Sequence, residues 1–146
     1  MSRKKVLIVC TGNSARSQMA EGLLRHEAGD MFDIVSAGTE PGTLRPEAVA
    51  VMREIAVDIS GQWSKPLNQF LGQHFDYVIT VCDKAKELCP VFPGEALRLH
   101  WPFDDPASAP GTDEERLGAF RRARDRIHAR LMVFLGEGDY EVRGSE

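Results

Sequence analysis

Apolar and polar positions along the chain switch repeatedly between a short continuous pattern and a helical one, which predicts strands alternating with helices. Val6-Leu7-Ile8-Val9 is an unbroken run of β-branched and aliphatic residues, so residues 4–9 read as a short buried strand. Met19, Ala20, Leu23 and Leu24 recur at helical spacing and predict a helix from Ser17 to about Ala28. Phe32 to Ser36 reads as a second strand, ended by Gly38. Pro46 opens a helix that Val49, Met52, Ile55 and Ala56 carry through residue 56. Ser64-Lys65-Pro66 reads as a cap before a short helix to about Leu71, and Phe75 to Val81 as a third strand. A short helix is predicted from Asp83 to about Leu88, stopped by Pro90 and Pro93. Ala96 to His100 gives a fourth strand. After a loop from Trp101 to about Gly111, Leu117, Phe120, Ile127, Leu131 and Phe134 mark a last helix from Asp113 to about Leu135. The Gly- and charge-rich tail from Gly136 is expected to fray.

This order predicts an α/β fold: a three-layer sandwich with a four-stranded parallel sheet flanked by helices. In such sheets the site lies beyond the carboxyl ends of the strands. Cys10, Cys82 and the Trp101–Asp105 stretch each follow a predicted strand directly, so all three are expected to meet at that edge.

Composition narrows the class without changing the fold. The 146 residues suit one domain over the whole chain, 1–146, with no linker, repeat or low-complexity stretch. A net charge of −4 argues against nucleic acid or an anionic membrane as partner, so any anion site must be local. The basic start and the short apolar run after it are too small for a signal peptide or membrane span, and a cytoplasmic enzyme is the expectation. Three cysteines, an odd number, argue against a static disulfide framework.

The chemistry starts at Cys10. Thr11, Gly12, Asn13, Ser14 and Ala15 separate it from Arg16, which precedes a helix. Such a loop can curl its N–H groups inward and add them to the positive end of the helix dipole, making a cradle for a tetrahedral anion. Arg16 can grip two oxygens of that anion, and the same field is expected to favour a Cys10 thiolate. Ser17 is placed to donate a hydrogen bond to the sulfur. Cys-x5-Arg alone recurs by chance; its setting between strand and helix is what favours function over a buried structural cysteine. In Phe103-Asp104-Asp105-Pro106, Asp105 is the expected proton donor to a leaving oxygen, Asp104 the second choice, and a plain turn the bland alternative.

Cys82 and Cys89 lie seven positions apart across the predicted short helix. An intact helix separates them by about 10.5 Å of rise, whereas a disulfide needs α-carbons within roughly 4.4–6.8 Å. They can pair only if the helix unwinds; otherwise they are buried thiols, and their spacing is wrong for zinc. His26, His74, His100 and His128 show no ligand pattern. Trp63 and Trp101 read as packing or lid residues, and Arg121-Arg122-Ala123-Arg124 as a solvated helix face.

Three stretches together resemble the thiol-dependent arsenate reductases, which share the fold of the low-molecular-weight protein tyrosine phosphatases. They are Cys10 to Gly22, Ser36-Ala37-Gly38-Thr39, and the run from His100 to Pro106, and the resemblance spans about residues 5–135. It implies Cys10 as nucleophile, Arg16 as anion clamp, Asp105 as acid, and Cys82 and Cys89 as redox cysteines. It further implies a relay in which a Cys10–Cys82 disulfide forms and is passed to Cys82–Cys89. Thioredoxin is the implied reductant, with glutaredoxin-type partners or small thiols as the lesser alternative, and a monomer is expected. Some members of that family bind potassium near positions matching Asn13, Glu21 and Ser36. Here Lys65 stands where an acidic ligand is expected, which speaks against the ion, and no cofactor is expected.

Two rivals stay open. A tyrosine phosphatase would use Cys10, Arg16 and Asp105 equally well. Ala107-Ser108-Ala109 after Asp105-Pro106 lacks the aromatic residues that flank a phenol ring there. A non-catalytic oxyanion or redox sensor would have no need of Asp105.

Overall fold

The computed structural model describes residues 3–136. Four strands, β1 (Lys4–Cys10), β2 (Phe32–Gly38), β3 (Tyr77–Thr80) and β4 (Leu97–His100), form one sheet in the order β2-β1-β3-β4. All three pairings are parallel, with Val6 opposite both Ile34 and Tyr77. β1 is central, and its residues from Val6 to Cys10 are all buried, as the unbroken apolar run requires. The helices are α1 (Arg16–Ala28), α2 (Pro46–Arg53), α3 (Asp83–Leu88) and α4 (Asp113–Gly136), with short 3-10 turns at Leu67–Phe70 and Pro106–Ser108. The β1-to-β2 and β3-to-β4 crossovers run in opposite directions, so right-handed connections put α1 and α3 on opposite faces of the sheet. Phe134 of α4 packs its ring 5.4 Å from that of Tyr77 and 5.7 Å from that of Trp101, closing the core on the α4 side. Trp101 is therefore a packing residue, whereas Trp63 is largely exposed. No described helix is long and apolar enough to cross a membrane.

The elements fall where the hydrophobic pattern puts them, with instructive exceptions. α2 stops at Arg53 instead of running through residue 56, because Ala56 takes a left-handed backbone with φ of +62°. The Val57 N–H then reaches the Met52 carbonyl at 3.0 Å and the Ala56 N–H the Arg53 carbonyl at 3.0 Å, a two-bond C-terminal cap. β3 begins two residues after Phe75. Asp76, just before it, is tied to Lys5 by its backbone N–H and by its carboxylate, which accepts from the Lys5 N–H at 2.8 Å. Residues 64–71 hold only a 3-10 turn, since Pro66 and Leu71 are both extended. The tail beyond Gly136, expected to fray, lies outside the described residues.

The strand order places a topological switch between β1 and β3, whose neighbouring connections leave in opposite directions. Cys10 ends β1, Cys82 lies two residues past the end of β3, and Trp101 follows β4 directly. The three segments expected to meet at the carboxyl edge do so.

Candidate active site

The loop from Cys10 to Arg16 is shaped mainly through its carbonyl groups. The N–H groups of Thr39, Glu40, Gly42 and Arg45 donate to the carbonyls of Cys10, Thr11, Gly12 and Ser14 at 2.9–3.2 Å. The Asn13 carbonyl accepts from the Gln18 side-chain amide at 2.9 Å and the Ser64 hydroxyl at 2.7 Å. With every carbonyl from Cys10 to Ser14 held outward, planar trans peptides turn the following N–H groups the other way. They face a cleft of about 240 Å³ lined by Cys10, Thr11, Gly12, Ser14, Ala15, Arg16 and Asp105. α1 starts at Arg16 without a side-chain cap, so its first-turn N–H groups add to the same concavity. Gly38 is required for this packing: a Cβ there would stand 2.5 Å from the Thr11 carbonyl oxygen.

Asn13 is the residue that locks the curl. Its backbone is left-handed, with φ of +48°, and its side chain is fully buried. Its amide donates to the hydroxyls of Ser17 at 2.8 Å and Ser36 at 2.9 Å, and its side-chain oxygen accepts from the Lys65 N–H at 2.8 Å. Ser17, expected beside the Cys10 sulfur, instead turns to Asn13 and acts on the cradle's shape.

Cys10 lines the cleft, with the Cys82 thiol beside it. Cys10 and Cys82 are both buried, free thiols linked by a hydrogen bond. That bond, with Cys10 as donor, is the largest influence on both. It pulls the Cys82 pKa down to about 5, against burial and with help from the Thr11 hydroxyl, the Ala85 N–H and Arg16. The Thr11 hydroxyl lies 3.1 Å from the Cys82 sulfur. Cys10 is pushed upward by the same bond and by burial, against Arg16 and the Thr11 N–H. The pair therefore holds one negative charge shared between the two sulfurs, because two adjacent thiolates repel. The expectation of a Cys10 thiolate becomes one of a shared thiolate. It follows that the reduced protein carries a thiolate that disappears as pH falls through about 5. In Cys10→Ala, with its donor gone, that midpoint moves up toward the ordinary thiol range. Thiolate ultraviolet absorbance across pH checks this, and an unmoved midpoint would contradict the pairing.

Arg16 joins the cradle to the acid loop. Its guanidinium donates to the Phe103 carbonyl at 3.0 Å and lies 3.9 Å from the Asp105 carboxylate. Asp105 is itself oriented by the Ala107 N–H at 3.0 Å and the Ser108 hydroxyl at 3.3 Å. Asp104 points away, fully exposed and 4.0 Å from Arg126. Of the two carboxylates, only Asp105 lines the cleft.

Cys82 and Cys89 flank α3, as its N- and C-terminal caps. The six-residue helix holds them apart, and burial raises the Cys89 pKa. Within α3 only Ala85 is buried. The rest of its attachment is polar: Asp83 pairs with His100 at 2.8 Å, and Lys84 pairs with Glu40. Thr80 orients the His100 ring at 2.8 Å, and Arg98 donates to the carbonyls of Cys89 and Pro90. Sequence reasoning gave no role to Asp83, Glu40 and Arg98, which belong to separate segments and carry no motif, and it weighed His100 only as a metal ligand.

Among the described residues no group of three or more His, Cys, Asp or Glu side chains is arranged to hold a metal. The sequence matches the low molecular weight phosphotyrosine protein phosphatase family over residues 5–143. An arsenate reductase of Halalkalibacterium halodurans is 48% identical over 94% of this chain and 99% of its own length. The solved structure of an arsenate reductase in the phosphate-binding state superposes with a TM-score of 0.78, at 34% identity over 92% of this chain and 98% of that one. A thioredoxin-dependent arsenate reductase of Corynebacterium glutamicum superposes with a TM-score of 0.66 at 28% identity, covering 92% of this chain and 63% of that one. A cradle shaped for an oxyanion, a second thiol against the first and these likenesses agree: the chain belongs to the low molecular weight phosphotyrosine protein phosphatase family, in its arsenate reductase branch.

Proposed function

We propose that this protein reduces arsenate to arsenite, in arsenic detoxification, through three of its own sulfurs and with electrons from thioredoxin. The observation that carries the reading is the second sulfur beside Cys10. A phosphatase needs one thiol there; a reductase needs a neighbour able to attack it. The Cys10 sulfur bonds to arsenic as its proton passes to Cys82. Arg16 and the loop N–H groups hold the remaining oxygens, and Asp105 protonates the departing one, which leaves as water. Cys82 gives up its proton to solvent and, as a thiolate, attacks the Cys10 sulfur. The S–S bond forms as the S–As bond breaks, its electron pair stays on arsenic, and arsenite departs with arsenic reduced by two electrons. Cys89 then attacks Cys82, and Cys10 leaves as a thiolate. Thioredoxin's dithiol reduces the Cys82–Cys89 disulfide; the similarity to the Corynebacterium glutamicum enzyme supports that donor.

Electrons travel through sulfur alone, so no cofactor takes part. Every residue named belongs to one chain, so a monomer suffices, and a reducing cytoplasm suits three free thiols. The test is arsenate-dependent NADPH oxidation with thioredoxin and its reductase, alongside hydrolysis of an aryl phosphate. Sustained NADPH oxidation matched by arsenite release is the expected result. Aryl phosphate hydrolysis without arsenate-dependent oxidation would favour the phosphatase, and arsenate binding with neither activity would favour the sensor.

A further inference from the structure

Beneath the anion-binding loop lies a buried ion pair that the relay does not use. The side chains of Lys65 and Glu21 are each only 6% exposed, with the Lys65 ammonium 3.8 Å from one Glu21 oxygen. The other Glu21 oxygen meets Arg25 at 2.8 Å. Ser36 donates to Glu21 at 2.5 Å and accepts from Asn13 at 2.9 Å, so the pair is two hydrogen bonds from the residue that locks the loop. Lys65 also reaches Asn13 through its backbone N–H, and its ammonium is anchored to the Trp63 carbonyl at 2.8 Å and over the Trp63 ring at 4.8 Å.

Related proteins that bind potassium near positions matching Asn13, Glu21 and Ser36 set the question of whether an ion fits here. It does not. Both Glu21 oxygens already face cationic side chains, and Ser36 links Asn13 to Glu21. Both Asn13 oxygens accept from N–H or O–H donors. An alkali cation would have to displace these donors and sit against the Lys65 ammonium. Burial pulls the Lys65 pKa down, while Glu21 opposes that pull.

We propose that Lys65 is a tethered cation that takes the place of a bound alkali ion, acting as a positioning residue for the oxyanion loop. Without it, the Glu21 carboxylate would be left buried behind a site that must attract an anion and hold a thiolate, with only Arg25 to offset it. With it, Glu21 is neutralised, Ser36 stays oriented, and Asn13 keeps its left-handed turn with no ion drawn from solution. The inference rests on the reading of the loop as an oxyanion cradle and deepens it.

The test measures inorganic phosphate affinity by calorimetry, and the thermal midpoint, in KCl and NaCl at equal ionic strength. Neither readout requires turnover. The wild type is expected to give the same values in both salts. Lys65→Met is expected to bind phosphate ~10-fold more weakly in either salt, the scale of one lost charged partner. Lys65→Asp, which restores an acidic ligand, is expected to be weak and less stable in NaCl and to recover in KCl. The double variant Glu21→Gln/Lys65→Met removes both charges, and is expected to fold and return to near wild-type affinity. It decides the matter should either single variant fail to fold. Potassium-stimulated binding in the wild type, unchanged affinity in folded Lys65→Met, or a persistent defect in the double variant would each overturn the proposal. A wild type that binds no phosphate in either salt would count against the oxyanion cradle itself.

Discussion

Cys89→Ser is expected to release a single arsenite per chain and then stop. The steps up to arsenite departure involve Cys10, Arg16, Asp105 and Cys82, and none requires Cys89. What remains is a Cys10–Cys82 disulfide between positions that are 2% and 8% exposed, out of reach of an external dithiol. Steady turnover with thioredoxin should fall at least ~100-fold, because exchange depends on access to the sulfur attacked. Rapid-quench measurement of arsenite against protein, with disulfide mapping by mass spectrometry, checks both halves. Cys82→Ser, lacking the attacking sulfur, should release none. Repeated turnover in Cys89→Ser would show that Cys10–Cys82 is reduced directly and would remove Cys89 from the relay.

Arg16→Lys is expected to lose ~10²–10³-fold in kcat/KM for arsenate, the usual scale for removing an oxyanion-stabilising donor. The substitution keeps the charge, so the loss measures geometry. A guanidinium can face the bound anion while holding the Phe103 carbonyl and standing beside Asp105; an ammonium, as a point charge, cannot do all three. Phosphate affinity should fall with it, and the fall separates anion binding from delivery of the Asp105 proton. A loss under threefold would mean that the loop N–H groups carry the anion without Arg16.

The sequence displayed the sheet and the edge on which the site sits, because a buried central strand writes itself as Val6-Leu7-Ile8-Val9 and a loop before a helix as Gly12-Asn13-Ser14. The α3 boundaries were legible for the same kind of reason, since Pro90 and Pro93 forbid continuation. The helix from Pro46 was read too long because Ala56 takes a left-handed backbone, a conformation its composition does not announce. Ser17 was assigned to the Cys10 sulfur because the two are close in sequence. Its actual partner depends on Asn13 turning inward, which the Ser36 hydroxyl helps to hold in place from another strand. The charge shared between Cys10 and Cys82 was equally out of view, as it arises only when β1 and β3 lie side by side. Local chemistry is written in consecutive residues; networks made of single residues from several elements are not.

The adjacency of β1 and β3 has a consequence for how one scaffold serves two chemistries. The Val81 N–H bonds the Val9 carbonyl at 2.9 Å, so the residue after Val81 is delivered beside Cys10 by backbone geometry alone. Cradle, clamp and acid belong to other segments, with the Thr11 hydroxyl as the cradle's link to that residue. A covalent adduct on Cys10 has two ways to decay: water can attack its central atom, or sulfur can attack Cys10. Cys82, just past the end of one strand, is the side chain that opens the second route, so hydrolysis and reduction can share one backbone.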